Sequence, residues 1–364
     1  MSRSPLQALV SANLPNVASP SLAPTRAAVE PVRDDLGDVR WVAGIWVMVA
    51  VFAAITAAWS HHVGVPLRDP DGQMFRGRLT SALVLLTVLV LLDTVVRSRR
   101  TGQLSPRGLV RVLRERWWWQ RLAVAVSGLV AYHLVYICYR NLKSWDAFNT
   151  VRDDQLLRLE RWIFLGNDPA ALLHDLFGQH TAAYVLMVVY KSFTYLVPLS
   201  VVAALAFSDR IRDGYVFLAS AMWLWILGVG SYYLIPTLGP FASAPQTFVG
   251  LPQTAITSTQ AEYLAERAHM LLDPAAPDAF VSISAFASLH VGFTCMVVFM
   301  LLYYGRRRLA LVLTGYLLAV MVATVYFGWH FVLDDVAGIA LAALAVLLGR
   351  FTVYPTGRKS PASR

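Results

Sequence analysis

The sequence predicts an all-α fold, a polytopic bundle of about eight helices that cross a membrane. Three observations carry that prediction. Of the 364 residues, 57% are hydrophobic and 15% charged, whereas a water-soluble domain is nearer 45–50% apolar with about a quarter charged. The apolar residues gather into runs long enough to span, since a transmembrane helix needs roughly 20 of them. The Lys and Arg excess behind the formal charge of +9 sits at the ends of those runs. Membrane topology explains such a distribution, and a nucleic-acid groove does not.

Taken in order, residues 1–38 are rich in Pro, Ala and Ser without periodicity and are expected to form a disordered cytoplasmic tail. They lack the basic start, short apolar core and cleavage site of a removable signal peptide. Eight candidate spans follow at 41–60, 79–96, 122–139, 181–207, 215–236, 288–304, 309–329 and 336–348. The division expected is two additional helices and a basic cytoplasmic loop over 39–117, a six-helix core over 118–350, and a basic cytoplasmic tail over 351–364. Cys138 and Cys295 each lie inside an apolar run, which excludes a disulfide framework and a cysteine-based zinc site. No fixed-period repeat and no glycine-rich nucleotide motif occurs.

Charge orients the bundle. With the N-terminus cytoplasmic, the cytoplasmic segments hold about twice as many Lys and Arg as the opposite ones, the bias of the positive-inside rule. The expected protein is a multi-pass protein of the cell membrane with both termini cytoplasmic and three loops outside. Residues 61–78 are a short connector. In 140–180, Leu156, Leu157, Leu159, Trp162, Ile163 and Phe164 alternate with charges, predicting one or two amphipathic helices in the interface. The third loop, 237–287, is long and rich in Ala, Pro, Ser and Thr; loops of that length tend to be functional, and a cap or lid is expected.

Two of the eight histidines stand out by position. His290 opens the sixth span and His330 closes the seventh. One span runs inward and the next outward, so both rings return to the outer face at one depth. His330 and Asp334 are four residues apart and share a helical face. A carboxylate there fixes the tautomer and leaves the other ring nitrogen free to attack. Ser288 is the expected N-cap of the sixth helix, whose exposed amides favour an anion near His290. This set suits phosphoryl transfer through a phosphohistidine, with no metal or cofactor required. The competing readings are an aromatic and polar belt at the interface, with Trp329 and Phe331 beside His330, and a metal site from His290, His330, Asp334 and Asp335.

The motifs resemble the type 2 phosphatidic acid phosphatase superfamily, in particular its inositol phosphorylceramide synthase-like branch. Ser288-Leu289-His290 resembles the end of that branch's first motif, and His330, Asp334 and Gly338 match the spacing of its second. Tyr233-Leu234-Ile235-Pro236-Thr237-Leu238-Gly239-Pro240 and Phe164-Leu165-Gly166-Asn167-Asp168-Pro169 are softer similarities, so the likeness extends over about residues 120–350. The resemblance implies a six-helix lipid phosphatase-like core, with His330 as nucleophile, Asp334 as its orienter, His290 as general acid and Ser288 in phosphate binding. It also implies a lipid phosphate substrate among membrane lipids. The product side is either hydrolysis or transfer of a phospho-headgroup to an alcohol such as inositol or a lipid hydroxyl.

This sequence departs from the branch at three places. The proline before Ser-Leu-His is Ala287, the arginine two residues before the second-motif histidine is Gly328, and the Lys- and Arg-containing first motif of the wider superfamily is absent from 233–240. Arg140 and Lys143, just beyond the third span, are the expected substitutes in neutralising phosphate, their alternative being interfacial snorkelling. Lys191 is another: about ten residues into the fourth span, it lies roughly 15 Å deep and requires a polar cavity or a partner. Asp93 of the second span is a candidate partner. The reading of a different class is an inactive relative that serves as a transporter or scaffold.

Overall fold

The computed structural model describes residues 40–69 and 73–355; the N-terminal tail and the end of the C-terminal tail lie outside the described residues. Thirteen helices follow one another among these residues. They are α1 (Arg40–Val63), α2 (Gln73–Arg100), α3 (Pro106–Arg116), α4 (Trp119–Trp145), α5 (Asp153–Ile163), α6 (Pro169–Phe177) and α7 (Thr181–Phe207), then α8 (Ile211–Leu234), α9 (Pro240–Ser243), α10 (Ala255–Leu272), α11 (Leu289–Tyr303), α12 (Arg307–Tyr326) and α13 (Val332–Val353). Seven are long and apolar enough to cross a membrane, and the apolar α11 has 15 residues. The protein is a multi-pass membrane bundle, and the eight expected spans are all helices.

Burial ranks the helices. In α8, 78% of the most apolar stretch is covered by neighbours, against 11% in α7. The former is therefore the axis of the bundle, while α7 presents most of its surface to lipid. The span expected at 336–348 extends in both directions to Val332–Val353. A close approach of α13 to α11 locks the pair: a Cβ on Gly338 would stand 2.4 Å from the carbonyl oxygen of Ser288. Small residues are what permit backbones to pack this tightly within a membrane.

One end of the bundle is basic and carries its own fastening. Asp93 binds Arg97 at 2.9 Å and Arg116 at 2.6 Å. Arg116 and Arg121 also donate to the carbonyl of Ser208 beyond the end of α7, a cation at a helix C-terminus where the dipole favours it. The suggested pairing of Asp93 with Lys191 is thereby corrected, because both carboxylate oxygens of Asp93 are spent at the opposite end. The basic loop also contains the helix α3. Ser105 caps it, accepting the amide of Gly108, and Pro106 opens the helix.

At the other end, α5 and α6 form the expected interfacial segment. Trp162 and Leu165 are 77% and 91% exposed, an apolar edge suited to the membrane interface. Three carboxylates tie this segment to the loops above the bundle. Asp153 accepts the amides of Leu238 and Gly239, Asp168 accepts the Thr247 hydroxyl, and Glu160 accepts the amide of Val332 at 2.5 Å. The long third loop is largely ordered: it contains α9 and α10, the latter begun by a Thr254–Thr257 capping box. Arg68, from the first loop, clamps it by donating to the carbonyls of Ala279 and Pro274.

Candidate active site

His290 is the second residue of α11, and His330 stands in the short turn between α12 and α13. That turn is held from three sides. The carbonyl of Phe327 accepts Gln260 of α10 at 2.7 Å, that of Gly328 accepts the Phe241 amide at 3.0 Å, and Trp329 donates to Thr324 at 3.0 Å. The two imidazole centroids are 6.0 Å apart with planes at 57°. Asp334, fully buried, places Oδ2 3.4 Å from Nδ1 of His330. Burial, then the charge of Lys143, push His330 down to about 3, so its ring is neutral at ordinary pH.

Both histidines face one cavity of about 620 Å³. Its wall includes Arg78 of α2, Arg140 and Lys143 of α4, and Lys191 of α7, and no Asp or Glu among the described residues lines it. Arg140 donates to the Ser282 hydroxyl at 3.2 Å and stacks on Phe280. Lys143 projects over the ring of Tyr232, 5.5 Å from its centroid. Tyr190 stacks on His290 at 4.4 Å and lies parallel to Trp329 at 5.8 Å. Because Tyr190 precedes Lys191, that lysine sits at the depth of His290, which gives it the polar cavity its position requires.

The structure brings His290, His330, Arg140, Lys143 and Lys191 to one cavity, with Asp334 behind His330. It does not bring Ser288 there. Ser288 is completely buried, caps α11 by accepting the Val291 amide, and bonds Asp335. Asp335 also receives the Thr324 hydroxyl at 3.1 Å. No group of three or more His, Cys, Asp or Glu that could hold a metal occurs among the described residues.

Gly328, where an arginine is expected by resemblance, has φ +68°, and the ring of Phe248 lies 2.3 Å from where a Cβ would be. The turn has no room for a side chain. Arg78 is the cavity cation that sequence reasoning missed. It reads there as one more charge flanking a span, and its value lies in the packing of α2 against α4 and α7.

A family model for the PAP2 superfamily matches residues 154–348, more than half of the chain. The chain belongs to the PAP2 superfamily. Membership implies activity of the phosphatase or phosphotransferase type. No curated protein and no solved structure matches the chain. In this PAP2 protein His290, His330 and Asp334 fall within the matched segment, whereas Arg78, Arg140 and Lys143 precede it.

Proposed function

We propose that the protein is a lipid phosphatase or phosphotransferase that works through a phosphohistidine on His330. The observation that carries this reading is the joint lining of one cavity by His290, His330 and four cations, with no carboxylate among the described residues of its wall. Such a wall favours a phosphate dianion and the charge spread over its oxygens and the leaving oxygen in the transition state. The ring nitrogen of His330 turned away from Asp334 attacks phosphorus, and the bond from phosphorus to the lipid oxygen breaks. His290 gives that oxygen its proton. A water or an alcohol, deprotonated by His290, then attacks the phosphohistidine, releasing phosphate or a new phosphate monoester of that alcohol and restoring His330; a phosphodiester donor would by the same steps give a new phosphodiester. By the charge bias of the loops, the reaction takes place on the outer face of the cell membrane with both termini cytoplasmic.

Transfer to an alcohol is the second reading. The resemblance to the inositol phosphorylceramide synthase-like branch favours it, as does a hydroxyl-rich stretch of wall formed by Thr259, Tyr263, Ser282 and Ser284. The test is turnover of a panel of lipid phosphates by the detergent-purified protein, with and without inositol. His330→Ala and His290→Ala should each abolish turnover while thermal unfolding stays unchanged. Full turnover by His330→Ala, or none by the unmodified protein on any substrate, would overturn the proposal; the latter outcome favours a transporter or scaffold. A headgroup-transfer product appearing with inositol selects the transferase.

A further inference from the structure

The cavity that holds the two histidines extends well below them. Its wall on α4 runs from Lys143 to Leu129, and on α7 from Tyr190 to Val202. At 1.5 Å per residue these stretches cover about 20 Å, two-thirds of a hydrocarbon core of about 30 Å. Polarity changes along that length. The cations Arg140 and Lys143 stand at the upper end, beside His290 and His330. The lower end is formed by Ala82, Leu85, Leu129, Val197, Val201 and Val202.

Several polar groups in the lower half are satisfied by the protein itself. Trp225 donates its indole N–H to the Tyr132 hydroxyl at 3.1 Å, and His133 uses Nδ1 on the Leu129 carbonyl at 2.7 Å. Around them the wall is mainly apolar, with Thr194 of α7 and Ser81 of α2 as small hydroxyl side chains among aliphatic ones. Arg78 marks the boundary, its guanidinium 4.6 Å over the ring of Tyr136.

We infer that this lower half is the seat of one hydrocarbon chain of the substrate, and that α2, from outside the matched family segment, forms the wall that sets how long a chain it takes. The inference rests on the proposed lipid phosphate activity and names its substrate class: a phosphate ester whose chain descends between α2, α4 and α7 while the phosphate stays at the histidines. Continuity of the two halves in one cavity identifies the occupant, because an anionic head and an apolar tail must belong to the same molecule. Without α2 the tail would lie against bulk lipid and its length would go unread.

The experiment has two arms, both with linear alkyl phosphates from butyl to hexadecyl. In the first, release of phosphate by the unmodified protein in detergent should rise with chain length and then level off. Ala82→Trp on α2 and Val197→Trp on α7 obstruct the slot from opposite walls, and each should lower kcat/KM for hexadecyl relative to octyl phosphate at least about tenfold. Val84→Trp, on a face of α2 that is 60% exposed, should leave the profile as it was. The second arm measures binding to His330→Ala by displacement of a fluorescent alkyl phosphate. Affinity should climb at least about fivefold per four carbons, a discounted share of the methylene transfer energy, until the slot is full.

Binding that is flat in chain length overturns the inference, whatever the turnover. So does a chain-length profile unchanged in both slot variants. Chain-dependent binding without turnover of any substrate would overturn the phosphatase reading and support the slot.

Discussion

One oxygen of Asp334 serves both the helix and the histidine: Oδ2 accepts the amide of Phe331 at 2.9 Å and stands 3.4 Å from Nδ1 of His330. The first bond fixes the carboxylate at the start of α13, and the second relationship directs its charge at the ring. An asparagine would keep the shape and lose the charge, and its amide N–H₂ would favour the wrong tautomer. Asp334→Asn should lower kcat by about 10²- to 10⁴-fold, on the scale known for orienting carboxylates, with little change in KM. Steady-state kinetics on a lipid phosphate check this; a KM effect alone would contradict it.

Gly338 seats α13 against the carbonyl of Ser288, which precedes His290 by two residues. A methyl group there, 2.4 Å from that oxygen, forces the two histidine-bearing elements apart. Gly338→Ala should destabilise the protein by about 1–3 kcal/mol, the usual cost of overpacking, and reduce turnover with it. Thermal unfolding in detergent reads the first effect and the lipid phosphate assay the second.

Restoring the arginine that resemblance expects at position 328 should fail. The backbone there has φ +68°, and Phe248 occupies the space. Gly328→Arg should lower the unfolding temperature and abolish turnover. A gain in activity would show that the turn can reopen.

The cations should act on the substrate, Lys143 without holding the fold. Lys143 forms no ion pair among the described residues and projects over Tyr232. Lys143→Ala and Arg140→Ala should each reduce kcat/KM about tenfold or more, as loss of a charge-assisted contact to phosphate does. The unfolding temperature of Lys143→Ala should stay near that of the unmodified protein, whereas Arg140→Ala also loses its contacts with Ser282 and Phe280. Unchanged kinetics would assign both residues to interfacial snorkelling.

Glu160 makes stability depend on pH. Burial pushes its carboxyl up to about 7, partly offset by the Val332 amide it accepts. A carboxyl raised on folding binds its proton more tightly in the folded state, so its contribution is full below its ordinary range and is lost as pH rises through about 7. The unfolding temperature should therefore fall between about pH 5 and pH 8, and Glu160→Gln should flatten that fall. Parallel curves for the two proteins would remove Glu160 as the cause.

The spans were legible because a membrane demands long uninterrupted apolar runs, and no other element of this chain supplies them. The convergence of His290 and His330 was legible too, since alternate spans must return to one face. Asp334 followed from helical periodicity. Less could be read where packing decides. Ser288 carries the signature of an N-cap and serves as one, but burial removes it from the cavity. Asp93 resembles a deep partner for Lys191 until α3 folds back and Arg116 reaches it. Arg78 looks like a topological charge because nothing local reveals that α2 will close the side of the site. The order of the third loop rests on Arg68 and Gln260, contacts made across more than sixty residues of sequence.

The shortness of α11 has a further consequence. Fifteen residues rise about 22 Å, less than a hydrocarbon core of about 30 Å, so α11 leaves one end short of an interface, and on the proposed function that end is the one that carries His290. On that proposal a phosphate leaves the hydrated headgroup plane and sinks to meet the imidazoles, exchanging its water for lysine and arginine on the way down. Bilayer thickness becomes a kinetic variable: in thicker membranes the descent is longer, and turnover should decline in step.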